Sequence, residues 1–210
     1  MVNKPSLILI GAGGHAKSCI DVIEDEGRFS IAGLVTEISC QIEDSLFGYP
    51  RIGNDADLVD LKKHYDYAFV TVGQMQSSKV RKFLYQKLIS IGFDIPVIIS
   101  SKAYVSKHSN IARGSIVMHG AVINADVNIG ENCIINSMAL IEHDASIGDH
   151  CHISTGARIN GNVTINSDTF VGSGSVLKNG IIIGGGSFIG MGALLTHDQP
   201  NDSKFLASYK

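Results

Sequence analysis

From about residue 103 onward, apolar and polar positions along the chain follow a period of six. Stepping by six from Val105 meets Ile111, Val117, Ile123, Ile129, Ile135, Ile141, Ile147, Ile153, Ile159, Ile165, Val171, Leu177, Ile183, Ile189 and Leu195, sixteen aliphatic residues without a break. Two positions before each of these anchors the residue is small or of valine size, Ile181 being the one exception. A period of six fits neither an amphipathic helix nor a half-buried strand. It fits a triangular coil of three short strands and three turns, with coils stacked at strand spacing of about 4.8 Å. Each anchor then points inward, and the small residue lies near a corner that admits nothing larger. The pattern predicts a left-handed parallel β-helix over residues 101–210. Cys133 and Cys151 fall on small inward positions and read as packing residues. Asn or Gly often follows the anchor (Asn124, Gly130, Asn136, Gly148, Asn160, Asn166, Gly172, Gly184, Gly190), where unusual turn angles are expected.

The residue just before each anchor points outward, and every third repeat returns to the same face. One row reads Tyr104, Val122, Leu140, Arg158, Val176, Leu194; a second reads Ile116, Ile134, His152, Phe170, Phe188; a third reads Asn110, Asn128, Ser146, Thr164, Ile182. Two rows are mostly apolar and one is mostly polar. Apolar rows of this extent mark interfaces, and two of them fit a closed threefold ring, so a homotrimer is expected. The alternative is that the front domain covers one row.

Residues 1–100 have a different texture. An apolar run at 7–10 leads into Gly11-Ala12-Gly13-Gly14-His15-Ala16-Lys17 and then a helix to about Glu26, stopped by Gly27. Further strands are predicted at 31–35, 68–72 and 95–99, and helices at 56–63 and 77–91. This is a small Rossmann-like α/β domain with a four-stranded sheet. A glycine-rich strand-to-helix turn of this kind either cradles phosphates or is merely a tight turn. A dinucleotide oxidoreductase fits poorly: the domain is too small for two mononucleotide halves, and Glu37 is off the usual spacing for the ribose acid. A mononucleotide carrying a sugar fits better.

Composition narrows the class. Hydrophobic residues make up 44 % and charged residues 18 % of the chain, which is globular and core-rich. A net charge of -3 offers no basic footprint for nucleic acid. No apolar run reaches a membrane span, and the start of the chain is too short and polar for a signal peptide. Cys19, Cys40, Cys133 and Cys151 form no CxxC pair, so neither zinc nor a disulfide framework is favoured and a cytoplasmic setting is the default.

For chemistry, His143 stands out. It lies two residues after Ile141, outside the coil at a corner, in a column that reads Lys107, Ala125, His143, Gly161, Asn179, His197. Gly161, one coil on, leaves a notch beside the imidazole with a backbone N–H available, and Asp144 or Glu142 is placed to orient the ring and raise its basicity. A general base and an oxyanion donor are what acyl transfer from a thioester needs. The bland reading is a solvated turn histidine. His152 interrupts the second apolar row, either as a site at a subunit seam or as a tolerated interface histidine.

The segments "LILIGAGGHAKSCIDVI", "YPRIGND", "FVTVGQ" and above all "NSMALIEHDASIGDHCHISTGARINGNV" span nearly the whole chain. With them the sequence resembles the bacterial sugar O-/N-acetyltransferases with hexapeptide repeats, the group of sialic-acid O-acetyltransferases and of N-acetyltransferases acting on nucleotide-linked 4-amino sugars. The resemblance implies acetyl-CoA as co-substrate and no metal. It makes His143 the general base, with Asp144 behind it. It sets His152 and the backbone near Gly161 at the acetyl group, Ser173 and Met191 along the CoA channel, and Asn136 at the acceptor sugar. Gly13, Gly14, His15, Thr36, Glu37 and Gly73 would surround the nucleotide in a substrate-binding domain over 1–100, ahead of the acyltransferase domain over 101–210. Transfer would be direct, at the seam of a homotrimer, onto the amine of a nucleotide-linked amino sugar for surface glycan assembly. The alternatives are O-acetylation of sialic acid or a similar sugar, and a β-helix scaffold without catalysis. Two positions depart from the group's pattern: Thr36-Glu37 stands where nucleotide-sugar members often carry Asp, and the ending "KFLASYK" lacks the Gly-x-Pro-Ala found in many hexapeptide acyltransferases.

Overall fold

The structure, a computed structural model, describes residues 4–37, 45–75 and 77–207. Cys40 and the last three residues of the "KFLASYK" ending lie outside the described residues. The chain divides into two compact units: Met1–Gly73 with Lys79–Ile98, and Gln74–Ser78 with Ile99–Lys210.

In the first unit, β1 (Ser6–Ile10), β2 (Ser30–Val35), β3 (Ser45–Leu46), β4 (Tyr49–Gly53) and β5 (Tyr67–Val70) form one sheet in the order β3-β4-β2-β1-β5. β1 pairs in parallel with both β2 and β5. Leu7, Ile8, Leu9 and Ile10 are all buried, as expected for a central parallel strand covered on both faces. Helix α1 (Gly14–Glu26) buries Ala16, Cys19, Ile20 and Ile23, one stripe at helical spacing. Gly27 ends it at φ 73, returning its N–H to the Ile23 carbonyl. The remaining helices are α2 (Leu58–Leu61) and α3 (Lys79–Ile91).

The sheet thus has five strands where the sequence pattern predicts four. The place beside β2 is taken by β4, whose sequence Tyr49-Pro50-Arg51-Ile52-Gly53 lacks apolar alternation and stays partly exposed. Residues 95–99 do not join this sheet; Asp94 makes only an isolated bridge to Tyr67. The predicted helix at 56–63 shortens to one turn, and that at 77–91 begins at Lys79.

The second unit is a parallel β-helix built from two-residue strands at every repeat between Tyr104–Val105 and Leu194–Leu195. One face carries Tyr104–Val105, Val122–Ile123, Leu140–Ile141, Arg158–Ile159, Val176–Leu177 and Leu194–Leu195. The next runs from Asn110–Ile111 to Ile182–Ile183, and the third passes through Ile116–Val117 and Phe188–Ile189 to Lys204–Phe205. Neighbouring coils are in register with partners one coil apart, as in Ile123↔Ile141 and Ile141↔Ile159. The anchors from Ile123 to Leu195 make one continuous buried column, to which Cys133 and Cys151 belong.

The turn geometry differs from the expectation at one point. The left-handed residue is the third after the anchor, not the first: Asp126, Asn132, Met138, Asp144, His150, Asn162 and Asp168 all have φ between 55 and 64. Glycine directly after the anchor serves another need. A Cβ on Gly172 would lie 2.5 Å from the backbone nitrogen of Met191, so coil stacking itself forbids a side chain there.

The two apolar outer rows differ in exposure at their ends, while Val122, Leu140 and Val176 of the first and Phe170 and Phe188 of the second are all half-buried. Tyr104 and Leu194 on the first row are 59 % and 65 % exposed. On the second row Ile116 and Ile134 are fully buried within the chain and His152 nearly so. The expectation of two free apolar faces is corrected at Ile116, Ile134 and His152, which are covered.

Candidate active site

The turn after the first-row strand Leu140–Ile141 is pinned on both sides. Glu142 N–H donates to the Ile159 carbonyl (2.9 Å), Asp144 N–H to the Ala125 carbonyl (3.2 Å), and Asn162 N–H to the His143 carbonyl (3.0 Å). Asp144 takes the left-handed turn position at φ 61, a conformation Asp tolerates better than most residues. That conformation sets its carboxylate against the neighbouring ring: His143 Nδ1 lies 2.7 Å from Asp144 Oδ2. The hydrogen bond, and then the charge of the carboxylate and of Glu142, hold the imidazole pKa above its ordinary value. With Nδ1–H donating to Asp144, the neutral ring presents Nε2 as a lone-pair acceptor, the tautomer a general base requires. Glu142 does not reach the ring nitrogen; its carboxylate accepts from Asn124 Nδ2 (2.8 Å).

The imidazole leans over Gly161 and fills the notch. A Cβ built on Gly161 would lie 2.8 Å from Cε1 and 2.9 Å from Nε2 of His143, and 3.3 Å from Nδ2 of Asn179. Glycine is therefore what lets the ring lie against the coil.

A second group of polar residues follows the second-row strands, at a different edge of the coil. His152 Nδ1 lies 2.6 Å from the Gln74 carbonyl oxygen, so Nδ1 carries the proton and donates. Nε2 is then an acceptor, 3.2 Å from Asn136 Nδ2. The ring meets Phe170 edge-on, and Phe170 stacks on Phe188. Ser154 and Ser173 share a hydroxyl hydrogen bond of 2.9 Å, and Met191 is 65 % exposed. The structure brings His143, Asp144 and Gly161 together, and separately Asn136 and His152; within one chain the two groups occupy different edges.

In the first unit, the remaining candidates gather at the C-terminal ends of β1, β2 and β5. β1 lies between β2 and β5 in the sheet, the arrangement at which parallel sheets open a ligand crevice. Gly11, at φ 109, would drive a Cβ to 2.7 Å from Val72 Cγ2. The Thr71 hydroxyl ties β5 to this loop by donating to the Gly11 carbonyl at 2.7 Å. Gly13 caps α1 without a side-chain hydrogen bond, and nothing lies within 4 Å of a Cβ on Gly13 or Gly14, so the helix N-terminus is uncovered. Gly73 passes close to His15, its would-be Cβ 3.2 Å from the His15 Cβ. Thr36 is buried, and its hydroxyl has no hydrogen-bond partner among the described residues. Arg51 clamps the backbone here, donating to the carbonyls of Thr36 and Glu37.

Two residues near these groups escaped the sequence reading of the site. Asn179 stood in the same column as His143 and Gly161 but carried no further signal. Gln74 belongs to the short segment that crosses from the first unit, and no periodicity marks it. Two of the thiols are held protonated: burial pushes Cys19 up to about 12 and Cys151 well above the ordinary thiol value. Among the described residues, no group of three or more His, Cys, Asp or Glu side chains is arranged to hold a metal ion. No helix among them is long and apolar enough to cross a membrane.

A hexapeptide coil with a carboxylate-backed imidazole on one turn, behind a small parallel sheet with an open helix N-terminus, defines a class of acyltransferase. Residues 126–161 and 144–179 match the bacterial transferase hexapeptide (six repeats), and residues 6–88 match the PglD N-terminal domain. Together the two matches and the similar structures liken the chain to the bacterial hexapeptide-repeat acetyltransferases. It is similar in structure to a histidine-to-asparagine variant of perosamine N-acetyltransferase from Caulobacter crescentus, in complex with CoA and GDP-perosamine. The two share 27 % identity over 99 % of this chain and 95 % of that one, with a TM-score of 0.88. It is similar as well to the acetyltransferase domain of PglB from Neisseria gonorrhoeae in complex with acetyl coenzyme A, at 29 % identity, 98 % and 97 % coverage and a TM-score of 0.88. WeeI from Acinetobacter baumannii, at 23 % identity and a TM-score of 0.81, shares the fold. No curated protein matches the chain in sequence.

Proposed function

We propose that the protein is an acetyl-CoA-dependent N-acetyltransferase acting on the amino group of a nucleotide-linked amino sugar, for surface glycan biosynthesis in the cytoplasm. The observation that carries this reading is the pairing of His143 Nδ1 with Asp144 at 2.7 Å, which leaves Nε2 free over Gly161. His143 Nε2 takes a proton from the sugar amine as its nitrogen bonds to the thioester carbonyl carbon. The carbon–sulfur bond breaks, and the proton passes to the departing thiolate. No enzyme nucleophile is needed, in keeping with the buried cysteines. The similar structures support the substrates: one holds CoA with GDP-perosamine, another acetyl coenzyme A.

The first domain, residues 1–100, takes the nucleotide. Phosphates meet the uncovered start of α1 at Gly13, Gly14 and His15, and the buried Thr36 hydroxyl, Glu37 and Gly73 line the same edge. The second domain, residues 101–210, carries the chemistry. Asn136 and His152 address the acceptor sugar and the acetyl group, and Ser173 and Met191 border the CoA channel. These residues and His143 sit on different edges of one coil, so a closed threefold ring, pairing one edge with its neighbour's other edge, completes the site. The first outer row, exposed at Tyr104 and Leu194, supplies the seam.

Thiol release from acetyl-CoA against a panel of nucleotide-linked amino sugars and sialic acids tests the reading, with the mass of the chain in solution measured alongside. An amine acceptor and a trimer are expected. His143→Ala is expected to lower turnover by about 10²–10⁴-fold, the usual worth of a general base, while the trimer persists. Full activity in that variant overturns the role of His143, and a sialic acid acceptor replaces N- by O-acetylation.

A further inference from the structure

Both ring nitrogens of His152 are engaged within the chain. Nδ1 lies 2.6 Å from the carbonyl oxygen of Gln74, a residue of the same compact unit. A carbonyl oxygen only accepts, so Nδ1 carries a proton. Nε2 lies 3.2 Å from Nδ2 of Asn136. The two ends of that amide are told apart by a backbone bond: Asn136 Oδ1 accepts the Ser137 N–H at 2.8 Å. The end facing His152 is therefore the NH2 group, which only donates, and Nε2 meets it with a lone pair. The ring itself is clamped. It is buried on the strand ladder between Ile134 and Phe170, and it meets Phe170 edge-on with centroids 5.2 Å apart. Asn136, by contrast, is only half-buried, while its backbone N–H is held by the Ile153 carbonyl at 2.9 Å.

Resting on the acetyltransferase reading above, we propose that His152 is a positioning residue whose Nε2 holds the amide of Asn136 in the orientation that meets the acceptor sugar. A side-chain amide has two N–H bonds and two oxygen lone pairs. His152 takes one N–H, and Ser137 fills one lone pair. One donor and one acceptor remain on a half-buried group, a pair suited to the hydroxyls of a sugar. Ser137 fixes which end of the amide is oxygen, and His152 fixes its plane. Released from the ring, the amide gains rotational freedom that acceptor binding must then remove. The imidazole, with its N–H on Gln74 and its lone pair on Asn136, has no N–H left to give the acetyl oxygen. Its nitrogens therefore serve the affinity for the acceptor, through Asn136, and not the charge that develops on the acetyl group.

The experiment is steady-state thiol release from acetyl-CoA with the nucleotide-linked amino sugar that the wild-type chain turns over. The variants are His152→Phe, His152→Gln, Asn136→Ala and the His152→Phe/Asn136→Ala double, with His143→Ala beside them. Nitrogen NMR of histidine-labelled wild-type protein reads the tautomer directly. His152→Phe keeps the contact with Phe170 and loses both hydrogen bonds; His152→Gln keeps one donor and one acceptor. His152→Phe and Asn136→Ala are each expected to raise the KM for the acceptor about tenfold, on the order of one hydrogen bond, with the KM for acetyl-CoA changed by no more than about twofold. The double variant is no worse than either single one, because each breaks the same pair, and His152→Gln recovers part of the affinity. The NMR spectrum shows a proton on Nδ1 and none on Nε2 of His152. A proton on Nε2 overturns the proposal, a result that does not depend on whether His152→Phe folds. An unchanged acceptor KM in His152→Phe, with a lowered kcat or a raised KM for acetyl-CoA, overturns it in favour of a direct contact with the acetyl group, as do losses that multiply in the double variant. Unchanged kinetics in every variant at 136 and 152, with His143→Ala inactive, overturns it and leaves the acetyltransferase reading standing. No turnover by the wild-type chain overturns both.

Discussion

Gly161→Ala isolates the arrangement of the base from its chemistry, because it changes one methyl group and none of the proposed reacting groups. Gly161 does not adopt a left-handed φ, so alanine is compatible with its backbone. The added Cβ would stand 2.8 Å from His143 Cε1 and 2.9 Å from Nε2, where carbon atoms pack at roughly 3.5–4.0 Å. The neighbour that must yield is the tip of an exposed side chain rather than backbone, so the ring swings out by about 1 Å while the coil stays in place. Stability then changes little: gain from a less flexible unfolded chain, about 0.4–1 kcal/mol, offsets the local crowding. Catalysis does not escape so easily. A displacement of about 1 Å in a reacting group costs on the order of 10²-fold, equivalent to about 2.7 kcal/mol of barrier. The assay is kcat for thiol release, paired with a thermal melt and the melting curve of His143→Ala for reference. A Gly161→Ala protein that melts like wild type but turns over about a hundredfold more slowly is the expected outcome. Wild-type kcat would falsify the placement of the ring over Gly161 in the working enzyme, and a large loss of melting temperature would show that backbone, not imidazole, occupies that space.

Asp144→Asn keeps a side chain suited to the left-handed turn but removes the charge that raises the His143 pKa. Activity needs the neutral ring and is lost as pH falls through the imidazole pKa; lowering that pKa moves the acid limb of the kcat profile to lower pH and weakens the base, so the plateau drops too. A limb that stays in place or moves to higher pH in a pH–rate series refutes the pairing. Gly172→Ala forces a Cβ to 2.5 Å from Met191 N and 2.6 Å from the Gly190 carbonyl carbon, both backbone. It is expected to cost about 3 kcal/mol, at the upper end of overpacking, and denaturant unfolding with an unchanged midpoint would count against the stacking geometry.

The solenoid was legible because each repeat restates one constraint. An aliphatic residue every sixth position and a small one two before it admit few other folds, and the buried column from Ile123 to Leu195 follows directly. What failed in the front domain failed for the opposite reason. β4 is a short, partly exposed strand containing Pro50 and Arg51, so its pairing with β2 comes from tertiary context and not from alternation. Residues 95–99 look like a strand by composition but do not join that sheet. The turn positions were misplaced by two residues because glycine was read for its dihedral freedom, where its lack of a Cβ mattered. The placement of Gly161 beside His143 was legible from the eighteen-residue column. The bond from His152 to the Gln74 carbonyl was not, since a backbone carbonyl from a crossing segment leaves no trace in side-chain pattern.

Why the proposed base sits at this turn follows from how the repeat treats its positions. At the first residue after an anchor a glycine lets the next coil's backbone approach closely, as Gly130, Gly148, Gly172 and Gly184 show, while other coils carry a side chain there, Asn124 and Glu142 among them. The third must adopt left-handed φ, which favours Asp, Asn and Gly. The second carries its side chain outward on a fixed backbone. A histidine there automatically has, as its next neighbour, a position that Asp fills readily and that aims a carboxylate at Nδ1. It also faces, one coil away, the same second position. Most residues at that facing position would push the ring outward; Gly161 draws it in. The coil thus supplies orientation and support for the imidazole through its ordinary turn rules, and the departures at the proposed site are few: a histidine at 143 and a glycine at 161. Because both lie on consecutive rungs of one ladder, their spacing is set by strand pairing rather than by a mobile loop, which suits the preorganisation that the proposed chemistry requires.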